Sequence, residues 1–159
     1  MKSNSFEEQL AILIKQEEEI QFSSFSNENA MKIGMMLFEE AKKNGKSVTI
    51  DISRNGQCLF HYAMEGTSPD NDQWIRRKNN TVNRFGHSSF YIGTKLKSEG
   101  KTLLEAYEVN TDNYAAHGGA FPLIIKGTGI IGTITVSGLP QKEDHELVVN
   151  VLTTYLKTL

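Results

Sequence analysis

Polar side chains that could bind an anion are concentrated in "WIRRKNNTVNRFGHSSF", residues 74–90. At about 100° per residue on a helix, one line along the helix holds Arg77, Thr81, Arg84 and Ser88, and that line borders an apolar stripe. Guanidinium groups at such a border can hold a carboxylate or a phosphate through two parallel hydrogen bonds. This block is therefore the first candidate for an anion site.

The rest of the block adds further donors. Lys78 falls within the apolar stripe, and His87 precedes two serines. If Ser88 and Ser89 begin a new helix, they add hydroxyl groups and exposed N–H groups, which favour anions. Two other interpretations remain open. The basic side chains of this block can form a solvated face and pair with the abundant glutamates, or they can form a subunit interface, where arginine is favoured.

A second candidate is "YAAHGGAFP", residues 114–122, in which His117 precedes two glycines and an apolar run. Either Gly118 and Gly119 only let the chain turn into a strand, or they bring backbone N–H groups and the His117 ring against a ligand. No phosphate-loop spacing is present.

The remaining histidines and the single cysteine show no catalytic or metal-binding motif. His61 and His87 lack metal-motif spacing, and there is no nucleophile elbow. We expect Cys58 to be a small buried residue and His145 to lie at the surface. The sequence predicts neither a metal site nor nucleophilic catalysis.

The chain has 159 residues, a net charge of −2 and one cysteine. This length suits a single domain over residues 1–159, in which residues 1–26 would form a helix and connector at the periphery. The lack of a basic excess argues against nucleic acid binding, and one cysteine excludes an internal disulfide. With an acidic N-terminal segment and no apolar run near the roughly 20 residues of a membrane span, we expect a cytoplasmic protein that binds no membrane.

Helical periodicity alternates with two hairpin patterns along the chain. Helices are predicted over residues 6–20, 27–43, 68–85, 88–99, 102–105 and 139–156. The first hairpin joins "SVTIDIS" to "QCLFHYAM", and the second turns at residues 127–128. Strands joined by tight turns form an antiparallel sheet. The predicted fold class is α/β (α+β), a profilin-like α/β/α sandwich with a central antiparallel sheet of four to five strands.

The first hairpin turns at an Asn-Gly pair, residues 55–56, which favours a type I′ turn. A two-residue loop of this kind pairs Ile52 with Leu59 and Ile50 with His61. His61 would then face the apolar side as a hydrogen-bonded core residue. In this register both faces of the sheet carry apolar side chains, which predicts helices on both faces.

The segment "HGGAFPLIIKGTGIIGTITVSGLPQKEDHELV", residues 117–148, resembles the C-terminal signature of the GlcG/HbpS-like proteins, the haem-degrading-domain family. That signature has Gly-Gly-x-Pro, a hairpin ending in Val-Ser-Gly, and an Asp that opens the last helix. It is matched by Gly118, Gly119, Pro122, Gly129, Gly132, Val136, Ser137, Gly138 and Asp144, with one extra residue before the proline. The segment "NGQCLFHYAMEG" resembles the family's first hairpin, and "RRKNNTVNRFGHSS" points to a branch found in bacteria and fungi.

The resemblance implies a profilin-like sandwich that assembles into a homodimer or a larger ring. It implies no particular reaction. It makes haem or another tetrapyrrole a candidate cofactor, for which an axial ligand would come from His61, His87 or His117.

These features together predict a cytosolic homo-oligomer that binds a small anionic ligand between residues 77–89 and the turn at residues 117–119. The predicted ligand-binding residues are Arg77, Lys78, Arg84, His87, Ser88, Ser89, His117, Gly118 and Gly119. One alternative is a haem-binding or haem-degrading-like enzyme with an acid–base histidine, and another is an assembly protein without a ligand. The shared site would be excluded if Arg84 and His117 lay on opposite faces of the sheet.

Overall fold

The computed structural model describes residues 5–159, which form six helices and four strands. In chain order they are α1 (Ser5–Glu19), α2 (Asn27–Lys43), β1 (Thr49–Arg54), β2 (Gln57–Ala63), α3 (Pro69–Phe85), α4 (Ser89–Glu99), α5 (Leu103–Tyr107), β3 (Ala120–Ile125), β4 (Gly129–Ser137) and α6 (Gln141–Leu156). Several ends follow from local chemistry. Thr102 and Glu105 form a capping box that starts α5, and the Ser88 hydroxyl caps α4 by accepting from the Tyr91 N–H.

The four strands form one antiparallel sheet in the order β2-β1-β4-β3. Two tight hairpins supply the outer pairs, and β1 pairs with β4 in the centre. Helices α2 and α6 cover one face, while α3 and α4 cover the other. The predicted α/β/α sandwich is therefore confirmed, with four strands. Among residues 5–159, none of the helices combines the length and hydrophobicity that a membrane span requires.

The main hydrophobic core lies between the sheet and the α2/α6 layer. Alternate strand residues point into it, as the two-residue period of a strand requires. They are Ile50, Ile52, Phe121, Leu123, Ile134 and Val136, all fully buried. Burying a side chain of this size contributes about 1.5–3 kcal/mol, so this layer supplies most of the hydrophobic stabilisation.

The opposite face of the sheet, under α3, is polar. It presents Thr49, Asp51, Thr133, Thr135 and Ser137, all buried. Amide side chains of α3 form hydrogen bonds with this face: Asn71 donates to the Ser137 hydroxyl, and Asn79 accepts from the Thr135 hydroxyl. The prediction that both faces are apolar is wrong, and the cause lies in the register of the first hairpin.

A β-bulge at Leu59 changes that register. Ser53 pairs with Cys58 as the turn dictates, but Ile52 then pairs with Phe60, which leaves Leu59 without an opposite residue. Beyond the bulge His61 pairs with Asp51 instead of Ile50. The predicted placement of His61 in the apolar core is therefore wrong, since it lies on the polar face. Cys58 is exposed and not buried as predicted.

Helix α1 packs on α4 through both apolar and charged contacts. Leu13 is buried, and Glu17 is only 8% exposed. The two oxygens of Glu17 accept from His87 Nδ1 at 2.8 Å and from the Ser88 N–H at 3.0 Å. Phe22 follows the helix and forms a parallel bridge with Ile125 at the free edge of β3. The N-terminal segment from residue 5 onward is thus tied to the body of the domain.

His145 is buried, which makes its predicted surface position wrong. Only 2% of the residue is exposed, and its ring packs on Phe90 at 5.0 Å. Nε2 lies 2.7 Å from Gln16 Oε1, while Nδ1 has no hydrogen-bond partner in the described part of the chain. Burial lowers the pKa of His145 to about 4.

This buried histidine should make the protein sensitive to acid. Because the folded pKa lies below the unfolded value of 6.5, the unfolded state binds the proton first. The contribution is fully present above pH 6.5 and is lost as the pH falls towards 4, by about 3 kcal/mol in total. Urea unfolding at several pH values should show this loss in the wild type. The difference between wild type and His145→Gln isolates it from Asp144, whose raised pKa acts with the opposite sign. A constant difference across this range would contradict the assignment.

Candidate functional site

The structure brings Arg77 and Lys78 of α3 to the turn at residues 117–119. The Thr81 hydroxyl holds the approaching chain by donating to the Ala115 carbonyl at 3.0 Å and accepting from the Ala115 N–H at 3.2 Å. The His117 ring then meets Trp74 edge-on, with centroids 5.3 Å apart. Two concave spaces flank this Trp74–His117 contact, and we call them the basic cleft and the Lys78 pocket.

The basic cleft, of about 390 Å³, lies between α3, the C-terminal half of α4 and residues 101–117. Its walls are largely apolar and include Trp74, Leu96, Leu103 and Tyr114. Its cationic side chains are Arg77, Lys97 and Lys101. An apolar floor surrounded by cations suits a ligand with a hydrophobic body and a negative group.

The cations of the basic cleft have no carboxylate partner within residues 5–159. The Arg77 guanidinium stacks on Trp74 at 4.2 Å and, among the described residues, donates only to the carbonyl oxygens of Gln73 and Thr111. Lys97 and Lys101 are exposed. Their positive charge is therefore available to an anion, which Arg77 could meet with its planar fork of donors.

His117 is an exposed residue that lines the cleft, where its surroundings favour the neutral imidazole. Its pKa is lowered by burial of the ring and further by the charges of Lys78, Lys97 and Arg77. Neither ring nitrogen has a hydrogen-bond partner among the described residues. A neutral, unpartnered imidazole can accept a hydrogen bond or coordinate a metal.

The Lys78 pocket, of about 280 Å³, contains a buried ion pair. Lys78 Nζ donates to Asp144 Oδ2 at 3.2 Å and to the Val136 carbonyl at 3.3 Å. Asp144 also accepts from the N–H groups of Leu139 at 3.0 Å and Gly138 at 3.4 Å. Burial raises the pKa of Asp144 to about 6 and lowers that of Lys78, so removal from water outweighs their attraction.

The two glycines after His117 are required by packing against the protein itself. The Gly118 N–H donates to Gln141 Oε1 at 2.9 Å, and an added Cβ would collide with the Gln141 carbonyl oxygen. Gly119 has a φ of +138°, and a Cβ there would lie 2.5 Å from the Val136 oxygen and 2.7 Å from Lys78 Nζ. The turn is thus pressed against α6 and β4, which fixes the position of His117.

Arg84 lies on the same face of the sheet as His117 but at the other end of α3. It is ten residues beyond Trp74, or about 15 Å along the helix. There it stacks beside Tyr114 and lines a separate groove of about 700 Å³ with Ser53 and Asn79. The geometric condition that would have excluded a shared site is not met, yet Arg84 does not line the basic cleft.

The other predicted site residues also lie outside both spaces. His87 and Ser88 contact Glu17 of α1. The Ser89 hydroxyl accepts from the Ala120 N–H at 3.1 Å and is fully buried. These three residues join α1, α4 and β3, His87 and Ser89 through their side chains and Ser88 through its backbone N–H.

Sequence reasoning missed Lys97, Lys101 and Asp144 as members of the site. The two lysines face Arg77 only because residues 107–117 fold back across α4. That approach is marked by Gly93, where a side chain would strike the Ala116 carbonyl. A glycine inside a helical pattern was the one local signal of this close contact.

Comparison with known proteins agrees with this architecture. A family model described as "Haem degrading protein HbpS-like" matches residues 25–153. A "UPF0303 protein" of Psychromonas ingrahamii is 48% identical over 147 residues, 92% of each chain. The solved structure of the Ybr137w protein matches with a TM-score of 0.88 and 38% identity, over 94% of this chain and 88% of the other. HbpS matches with a TM-score of 0.65 and 22% identity, over 86% and 92%. The resemblance found in the sequence is confirmed, and the likeness to HbpS concerns the fold alone.

Proposed function

The chain belongs to the HbpS-like family, and on that premise we propose that it is a binding protein whose basic cleft takes a small organic anion with an apolar body. The observation that carries this proposal is the set of three cations, Arg77, Lys97 and Lys101, around an apolar floor without any carboxylate partner in the described residues. Arg77 would hold the negative group, Trp74 would pack on the apolar body, and His117 would orient it.

Haem is the specific candidate that the family description suggests, and the residues of the cleft fit it. His117, whose lowered pKa favours the neutral imidazole, would ligate the haem iron. Arg77 and Lys97 could pair with propionates, and Leu96 and Tyr114 could cover the macrocycle. Bound haem would supply iron-centred redox chemistry, while the protein would supply the ligand, the charge neutralisation and the exclusion of water.

The protein is further proposed to be a cytosolic homo-oligomer. Helix α2 exposes Met31 and Met35, and Tyr62 is exposed on β2, at the free edge of the sheet. Exposed apolar groups beside an unpaired strand edge suit self-association. This surface lies away from the basic cleft, so assembly and ligand binding are compatible with each other.

The test uses two probes, anilinonaphthalene sulfonate for an apolar anion and haemin for the tetrapyrrole. Arg77→Gln should weaken dye binding by about tenfold or more, because it removes a charged hydrogen-bond donor. His117→Ala should abolish the shifted Soret band of bound haemin. The matched control is Arg76→Gln. Arg76 lies outside the cleft, but its side chain bonds residues 112 and 113, so this variant loosens the same loop that Arg77 bonds at Thr111. Its dye affinity should equal that of the wild type.

Dye binding that survives Arg77→Gln, or fails equally in Arg76→Gln, would overturn the anion proposal. Haemin uptake that is unaffected by His117→Ala would remove haem alone. Native mass spectrometry of untagged protein tests both ligand binding and self-association, since it reports any retained ligand together with the number of subunits.

A further inference from the structure

The hairpin of β1 and β2 gathers three different metal-binding groups at the free edge of the sheet. Asp51 Oδ2 lies 2.9 Å from His61 Nδ1 and 3.8 Å from Cys58 Sγ, and the three ligand atoms all lie within 4.8 Å of one another. Asp51 is buried, whereas Cys58 and His61 are exposed. No part of the cluster belongs to the basic cleft or to the Lys78 pocket.

The bulge at Leu59 is what makes this cluster. Cys58 and His61 are three positions apart, so in a regular strand their side chains would point to opposite faces. The extra residue between them restores both to the face that carries Asp51. Phe60 and Tyr62 are correspondingly turned to the other face, where Tyr62 packs edge-on against Phe38 of α2. Bulges are enriched where a strand must re-aim a side chain at a functional site.

Outer contacts already orient two of the three ligand groups, His61 and Asp51. His61 Nε2 lies 3.0 Å from Asp72 Oδ1 of α3 and donates to it, so Nδ1, which contacts Asp51 Oδ2 at 2.9 Å, is the nitrogen that would exchange its proton for a metal ion. Asp51 Oδ1 accepts from the Ser53 hydroxyl at 2.9 Å and from Asn79 Nδ2 at 3.4 Å, so Oδ2 is the oxygen turned to the cluster. A carboxylate behind a metal-binding histidine, and hydrogen bonds behind a metal-binding carboxylate, are the outer-shell arrangement of protein metal sites.

We propose that Asp51, Cys58 and His61 bind a zinc ion through Oδ2, Sγ and Nδ1, with a fourth coordination position open to solvent. One sulfur, one imidazole nitrogen and one carboxylate oxygen suit Zn²⁺, whereas Mg²⁺ and Ca²⁺ take oxygen ligands. Adjacent ligands of a tetrahedral zinc lie about 3.5 Å apart, so the present separations require only small side-chain movements. Three protein ligands with an open position are typical of zinc sites that bind water or an exchangeable ligand.

Cobalt titration of the full chain tests the site, because Co²⁺ replaces Zn²⁺ and reports its ligands by colour. We expect a thiolate-to-cobalt charge-transfer band that saturates at equimolar Co²⁺ and is displaced by Zn²⁺. Cys58→Ser should abolish the band, and His61→Gln should weaken Co²⁺ binding by at least about tenfold. Asp72→Asn, which removes only the group behind His61, should weaken it by about 10–100-fold.

The matched control is His87→Gln, since the His87 side chain is about as accessible as that of His61, 35% against 38%, and is also bonded to a carboxylate, but without a cysteine nearby. It should leave the cobalt titration unchanged. The absence of a charge-transfer band in wild type, or Co²⁺ binding that Cys58→Ser and His61→Gln leave intact, would overturn the proposal.

A second measurement, on the wild type, tests zinc binding by the cluster even if the variants fold poorly. Zn²⁺ should protect Cys58, the sole cysteine, from alkylation by iodoacetamide, and chelation should restore the reaction. Equal alkylation rates with and without Zn²⁺ would show that the cluster is only a hydrogen-bonded network. Haemin and dye binding do not involve these residues, so this outcome is independent of the proposed function.

Discussion

Replacing Asp144 with alanine is expected to lower the free energy of unfolding by about 3–5 kcal/mol, measured by urea denaturation. The change leaves the Lys78 ammonium buried, 3% exposed, without its charged partner. It also removes the acceptor of the Leu139 and Gly138 N–H groups. Lys78 can respond only by losing its proton, for which burial has already lowered its pKa.

The neighbouring residue offers a control for this experiment. Glu143 forms an ion pair with Lys46 at 3.9 Å, but both side chains are half exposed. Glu143→Ala should therefore cost about 1 kcal/mol or less. The double variant Lys78→Met/Asp144→Ala should recover part of the loss, because the unpaired charge is gone. A loss for Asp144→Ala no larger than that for Glu143→Ala would show that the pair contributes nothing to the fold.

The fold could be predicted from the sequence because its main signals are local. An Asn-Gly turn, the Thr102–Glu105 capping box and the serine before α4 each act within four residues, and each is found where the sequence predicts it. Strand neighbours joined by tight turns then leave an antiparallel sheet as the natural arrangement. The family signature at residues 117–148 implied the same profilin-like sandwich.

The register beyond the first turn could not be predicted in the same way. Turn chemistry fixes Ser53 opposite Cys58, but a bulge one residue later has no mark in the apolar run "CLF". Its selection depends on tertiary contacts: Phe60 packs against α2 on one face, and the His61 ring contacts the Asp51 carboxylate on the other face. Because one extra residue reverses every later side chain, this single feature hid both the polar face and the Asp51–Cys58–His61 cluster.

The candidate ligand site was predictable in part for a related reason. Arg77 and His117 were identified by residue type and by their flanking residues, which are properties of the local sequence. Lys97 reaches the same cleft from α4 and Lys101 from the connection between α4 and α5, through contacts between segments far apart in the chain. Conversely, the periodicity that placed Arg84 in line with Arg77 did not show which part of α3 the turn at residues 117–119 would contact.

Gly119→Ala directly tests how the turn at residues 117–119 positions His117. We expect it to lower the free energy of unfolding by about 3–5 kcal/mol, because it combines a backbone strained at φ +138° with overpacking against Val136 and Lys78. The control Gly127→Ala lies at a hairpin turn with φ +76° and no atom within 4 Å, so it should cost only about 1–2 kcal/mol. Thermal or urea unfolding measures both. Since His117 lines the basic cleft and a displaced turn would move it, Gly119→Ala should also weaken dye binding if the folded fraction is assayed. Equal losses in the two variants would mean that the turn can withdraw from β4 at little cost, and that His117 is held by Trp74 and the Thr81–Ala115 hydrogen bonds instead.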